Sequence, residues 1–269
     1  MRIVELLNEL EVRIPPTLAE SWDNVGLLLG DAERPVRRVM TCLTLTSDVA
    51  EEAIREQVDL VITHHPILFK AIQRLTTGSI EGRMLLAMAE ARVAVYSPHT
   101  AFDSARAGIN QGIATKLGLS AIAPLRVLPN GTDGSGRRGE WPSARSLREL
   151  IAVIAQQQHV TTTAFVGDLD LPVSRIAIAC GAAAEFLPDA ASARCEVLIT
   201  GEARFHACLE ARERGMALVL LGHYASERPA VEWLAADLQS RWRELTVWSS
   251  RVECDPIEFL PGSPLKNVG

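Results

Sequence analysis

Two stretches of this chain place a histidine four residues before a carboxylate: His99-x3-Asp103 and His223-x3-Glu227. A third sets two histidines side by side ahead of a proline, His64-His65-Pro66. Imidazole nitrogens and carboxylate oxygens form the donor set for zinc, iron, manganese or nickel, and a carboxylate can bridge two such ions. Adjacent histidines on an extended or turning backbone point apart and can serve two metals, and Pro66 stiffens that turn. Asp103 and Glu227 are the natural bridging candidates. Two ions about 3.5–4 Å apart would activate a water and clamp an oxygen-rich substrate. Taken singly, each residue has a plainer reading. A histidine after a strand is commonly a hydrogen-bonded turn residue, Asp103 reads as a helix N-cap, and Glu227 complements a helix dipole from its first turn. Three such patterns at like positions favour one divalent-metal site holding two ions.

The elements that must position these residues follow from the hydrophobic pattern. Apolar runs at 25–29, 39–45, 60–63 and 93–96 read as strands, with helices expected over 47–57, 80–91 and 105–117. A second run has strands near 161–166, 174–179, 197–200, 217–221 and 245–248, with helices near 146–157, 202–214 and 226–240. This alternation predicts two similar α/β lobes, 1–128 and 129–269, with largely parallel sheets, helices on their faces and the metal site between them. The break is placed at 129–142 (PNGTDGSGRRGEWP), rich in glycine and proline. The last dozen residues, with Pro256, Pro261 and Pro264, read as a tail. The halves echo each other weakly: DLVIT precedes HHP in one, EVLIT precedes GEARFH in the other. In a parallel sheet, ligands gather outside the carboxyl ends of strands. His64, His65, His99, His206 and His223 all lie in segments following expected strands, His206 the least directly, and His159 does not.

Bulk properties narrow the function. With 269 residues, 48% hydrophobic and 22% charged, the chain can bury a full core. A net charge of -6 with no long basic run argues against nucleic acid as the ligand. Five cysteines without a CxxC pair suggest neither a zinc ribbon nor a disulfide framework, and a reducing compartment is the simpler reading. The start, MRIVELLNEL, reads as an amphipathic helix through Ile3, Leu6, Leu7 and Leu10 and not as a signal peptide. No apolar run reaches membrane-spanning length, so the cytoplasm is expected. Residues 134–139 match G-x-G-x-x-G formally, yet Trp141-Pro142 follows in place of a helix, which speaks for a loop. Cys180 reads as a small buried thiol.

Six segments carry a family resemblance: 21–30 (SWDNVGLLLG), 60–69 (LVITHHPILF), 96–103 (YSPHTAFD), 167–175 (GDLDLPVSR), 199–206 (ITGEARFH) and 221–227 (LGHYASE). In their order and spread, the chain resembles the Nif-three-like dinuclear-metal-centre family, also called the GTP cyclohydrolase I type 2 family. The resemblance implies two α/β lobes and a toroidal homohexamer with metal sites facing an internal cavity. It implies His64, His65, Asp103, His223 and Glu227 as ligands of two divalent ions per subunit. His99 would stand beside the ions, either supporting a ligand from behind or carrying protons, and Glu202 and His206 would line the same pocket. It also implies GTP cyclohydrolase chemistry: a small-molecule nucleotide substrate whose guanine imidazole ring is opened with release of formate. The alternative is a metal-binding or regulatory scaffold without turnover. One departure stands out. Thr44 occupies a strand position where the family usually has an acidic residue.

Overall fold

The structure, a computed structural model, describes residues 1–129 and 131–259; Pro261 and Pro264 of the expected tail lie outside the described residues. Helix α1 (Ile3–Arg13) buries Ile3, Leu6, Leu7 and Leu10, the residues whose helical spacing marks its apolar face. Strands β1 (Gly26–Leu29), β2 (Arg38–Cys42), β3 (Leu60–Thr63) and β4 (Ala94–Ser97) alternate with helices α2 (Ser47–Arg55) and α3 (Ile80–Glu90). An unexpected helix, α4 (His99–Ser104), precedes the one expected over 105–117, which is shorter, α5 (Ile109–Lys116). Between them, a Cβ on Gly108 would strike the carbonyl of Phe102.

The second half holds β5 (Ser120–Ala123), a two-residue pair β6 (Arg126–Val127) and β7 (Gly134–Ser135), β8 (Arg137–Ser146), α6 (Leu147–Gln157), β9 (Ala164–Val166) and β10 (Pro172–Ala179). Then come α7 (Leu187–Ser192), β11 (Val197–Thr200), α8 (Phe205–Glu213), β12 (Ala217–Leu220), α9 (His223–Arg241) and β13 (Thr246–Ser249). Two mixed sheets result. The first runs β1-β4-β3-β2-β13 and is parallel except for β1. The second runs β5-β8-β10-β11-β12-β9, with parallel pairing confined to β10-β11-β12 and antiparallel strands on both flanks. Strands buried on both faces, such as Leu60–Thr63 and Val197–Thr200, form the parallel centres.

Part of the glycine-rich segment expected as a loop is strand. β8 pairs with β5 on one side and β10 on the other. Its burial alternates from Arg137 to Trp141. The alternation is masked in sequence because the first inward residue is an arginine. The Arg137 guanidinium is buried and donates to the carbonyls of Ser104, Ala105, Gly134 and Gly136. Pro142, which has no N–H for a ladder, falls where the β8–β10 register shifts.

The chain crosses between the sheets near both ends of the second half. β5 precedes the glycine-rich segment yet pairs with β8, and β13 joins the first sheet beside β2. Helix α9 packs on β2 and β13, and Thr41 Oγ1 donates to its Val231 carbonyl at 2.7 Å. One apolar cluster runs between the sheets, from Leu60 and Ile62 to Ile176, Val197 and Leu234, and two others lie on the far faces, around Met40 and Leu85 and around Leu198 and Leu218. Among the described residues no helix is long and apolar enough to cross a membrane.

Candidate metal centre

The H-x3-acid spacing has a structural cause. His99 opens α4 directly after β4, and His223 opens α9 directly after β12. Asp103 and Glu227 therefore sit one helical turn further on the same face as their histidines. Neither acid is a cap; both stand at the fifth position of their helices. His64 and His65 follow β3, and their backbone is pinned. His64 N donates to the Cys42 carbonyl at 2.9 Å, His65 N to Leu43 at 2.8 Å, and Ser97 Oγ to the His64 carbonyl at 2.7 Å.

Three strand ends thus converge. His65 Nε2 and His223 Nε2 lie 3.1 and 3.2 Å from Glu227 Oε2, and 3.2 Å from each other. His64 Nε2 lies 3.7 Å from both Asp103 Oδ1 and the same Glu227 oxygen. Three groups that could each hold a metal ion result: two histidine–carboxylate triads, His65–His223–Glu227 and His64–Asp103–Glu227, with Glu227 common to both, and an all-histidine group, His64–His65–His99. Bonds of about 2.0–2.1 Å to a tetrahedral ion would spread its ligand atoms roughly 3.4 Å apart. The observed spacings bracket that value.

Ring orientation is fixed from behind. Nδ1 of His65 meets Thr44 Oγ1, Nδ1 of His223 meets Glu202 Oε1, and Nδ1 of His99 meets Asp23 Oδ1, each at 2.7 Å. Each ring then turns Nε2 inward, as partners behind metal-binding histidines commonly arrange. Thr44, where an acid was expected, orients His65 with a hydroxyl. His64 differs: it is buried, and neither ring nitrogen has a hydrogen-bond partner. Such an orphan costs about 1–3 kcal/mol, which a cation beside Nε2 would offset.

The electrostatics fit a cation site. Burial opposes ionisation of Glu227, but the surrounding imidazoles outweigh it and hold the carboxyl well below its usual range. Burial dominates at Asp103 and pushes its carboxyl up. Burial lowers His65. At His64 burial is outweighed by the charges of Asp103 and Glu227, and the pKa rises. Asp23, whose side chain is fully buried, would be raised by burial, yet bonds from His99 and Thr100 bring it to about 2.

A cavity of about 300 Å³ opens over the cluster, lined also by Trp22, Arg126, Cys180 to Ala183 and Phe186. Glu202 reaches the site only through His223. His206 faces a neighbouring cavity, and His159 lies in a separate cleft. Sequence reasoning passed over Asp23, Gly181 and Glu253. Gly181 has a positive φ of 68°, and a Cβ there would collide with Glu227 Oε1. Cys180 is a buried thiol as read, but its Sγ donates to Asp103 Oδ1 at 3.1 Å. Only the SWDN segment around Asp23 carried a signal.

Residues 1–256 match the Duf34/NIF3 (NGG1p interacting factor 3) family. The chain belongs to that family. Among Duf34/NIF3 relatives, a "GTP cyclohydrolase 1 type 2 homolog" of Nostoc is 36% identical over 214 residues, covering 78% of this chain and 81% of the relative. Another so named, from Clostridium perfringens, is 29% identical and covers 97% and 100%. A "Protein NIF3 homolog" of Schizosaccharomyces pombe is 32% identical and covers 90% and 92%. Among solved structures, a Bacillus cereus protein related to NIF3 superposes with a TM-score of 0.88 at 19% identity, over 97% of this chain and 99% of that one. Reduced HcgD from Methanocaldococcus jannaschii gives 0.81 at 26%, over 93% and 97%.

Proposed function

We propose that this NIF3-family chain is a dinuclear-metal-dependent hydrolase acting on a purine nucleotide, with chemistry of the GTP cyclohydrolase kind. The observation that carries it is the pair of histidine–carboxylate triads sharing Glu227, with His64 unpartnered among them. His64, Asp103 and Glu227 would hold one ion, and His65, His223 and Glu227 the other. Bound there, two divalent ions would lower the pKa of a water and polarise an oxygen of the substrate. The purine nucleotide is suggested by the relatives named GTP cyclohydrolase 1 type 2 homolog. The resemblance supports a toroidal hexamer as part of the proposal. The five unpaired cysteines support a reducing cytoplasm.

The chain's own residues supply the proton handling. His99 presents Nε2 to the cluster while Asp23 holds Nδ1–H, so His99 can take a proton from attacking water and return it to the leaving group. An imidazolium at His99 would be stabilised by the buried Asp23 carboxylate, which stays ionised at neutral pH. The test is formate release from GTP by the metal-loaded protein, with and without His64→Ala. Release that disappears in the variant supports the hydrolase; full metal occupancy with no turnover on nucleotides points instead to a metal-binding scaffold.

Metal binding should also release protons. In the metal-free protein the His223 imidazolium is held to about 9, chiefly by its bond to Glu227 and against burial. A cation must displace that proton below pH 9, so affinity should rise with pH and level off above it. Titration calorimetry at neutral pH in buffers of unlike ionisation enthalpy reads the release, expected at about one proton per chain from this group. Equal heats in both buffers would contradict it.

A further inference from the structure

At the mouth of the cluster two large aromatic side chains stand in solvent. Trp22 is 60% exposed and Phe69 48% exposed. They form a three-walled corner with His99: ring centroids lie 6.0 Å apart for Trp22–Phe69, 6.2 Å for Trp22–His99 and 6.3 Å for Phe69–His99. All three pairs are steep, at 76°, 76° and 88°. Edge-to-face packing of this kind leaves ring faces open.

The corner is held firmly. Beside Trp22, the Asp23 carboxylate accepts from the His99 ring and from the backbone and hydroxyl of Thr100. Asn24 Nδ2 donates to the Leu68 carbonyl at 2.9 Å, tying the Trp22 loop to the one carrying Phe69. Leu68 and His99 both take positive φ, 55° and 30°, a strain that side-chain residues accept only where the surroundings fix them. Fixed, exposed aromatic rings beside a polar pocket are the usual furniture of ligand recognition.

We infer that Trp22 and Phe69 are specificity-determining residues that receive a planar heteroaromatic ring of the substrate by stacking, with its edge turned toward His99 and the cluster. The inference rests on the hydrolase reading for the position of the ring, since Trp22 lines the same cavity as His65, Asp103 and Glu227. Stacking on indole suits any purine-like heterocycle and ignores an isolated sugar phosphate.

The test is equilibrium binding of GMP and of ribose 5-phosphate to the metal-loaded protein. GMP should bind at least about tenfold more tightly than ribose 5-phosphate. Trp22→Ala should weaken GMP by about tenfold or more, while Trp22→Phe keeps most of the affinity. Metal content and circular dichroism of both variants should match wild type, which separates a lost ring platform from a damaged site. Failure of GMP to bind, equal affinity for the two probes, or an unchanged Trp22→Ala would overturn the inference. So would a change in sedimentation mass on Trp22→Ala, which would make the aromatic pair an interface with a second copy. If wild type holds no metal, the hydrolase reading fails, but the two contrasts in GMP binding still decide the stacking.

Discussion

Glu227→Ala should take the purified protein from about two bound divalent ions per chain to well below one. Glu227 is 3% exposed, and a single oxygen, Oε2, lies within 3.7 Å of Nε2 of His64, His65 and His223. Glu227 is the one carboxylate common to both histidine–carboxylate triads, so its loss weakens both, whereas loss of Asp103 or His223 leaves one of them intact. Its removal also takes away the carboxylate charge that offsets three clustered imidazoles. Losing a supporting partner of a ligand costs roughly 10–100-fold in affinity, and losing the shared ligand should cost more. Elemental analysis after desalting checks this, with His159→Ala as a control that should match wild type. Two ions retained by Glu227→Ala would remove the bridge from the mechanism.

The shared role of Glu227 was half legible. H-x3-acid placed each histidine and its acid on one helical face, and the buried LVIT and VLIT runs of β3 and β11 showed where those strands end. The sequence could not show that α9 carries its acid across to the first sheet, because that depends on β13 pairing with β2 two hundred residues upstream in the chain. β8 was missed for a different reason. A strand whose inward residues are Arg137, Gly139 and Trp141 lacks the apolar alternation by which strands are recognised. Antiparallel flanks are equally silent, since they are set by which edges remain unpaired once the parallel centre forms. Thr44 was read as the loss of a charge; its hydroxyl proves to orient His65, a role that only the 2.7 Å contact reveals.

Glu253→Ala should cost the fold about 3–5 kcal/mol, the range for breaking one partner out of a buried ion pair. The Glu253 carboxylate accepts from the backbone N–H groups of Leu43 at 2.9 Å and Thr44 at 2.6 Å. It also lies 2.8 Å from Arg228 Nε, off the hydrogen-bonding axis, so that contact is an ion pair. Burial pushes the Glu253 carboxyl up despite these partners, so the intact pair itself adds little stability. The loss comes from what is left behind: a buried guanidinium that keeps Glu232 and the Ser250 carbonyl but loses its buried counter-charge, and two N–H groups that lose their acceptor. For a chain of this size the melting temperature should fall on the order of 10 °C. Replacing both partners, Glu253→Ala with Arg228→Met, should recover much of that, because no stranded charge remains. Thermal melts of the metal-free proteins read both effects. Since Glu253 also fixes Thr44 behind His65, the single variant should bind metal more weakly than its stability loss alone explains. A single variant melting within about 2 °C of wild type would mean that Arg228 reaches water or other acceptors, contrary to its burial between α9 and the segment after β13.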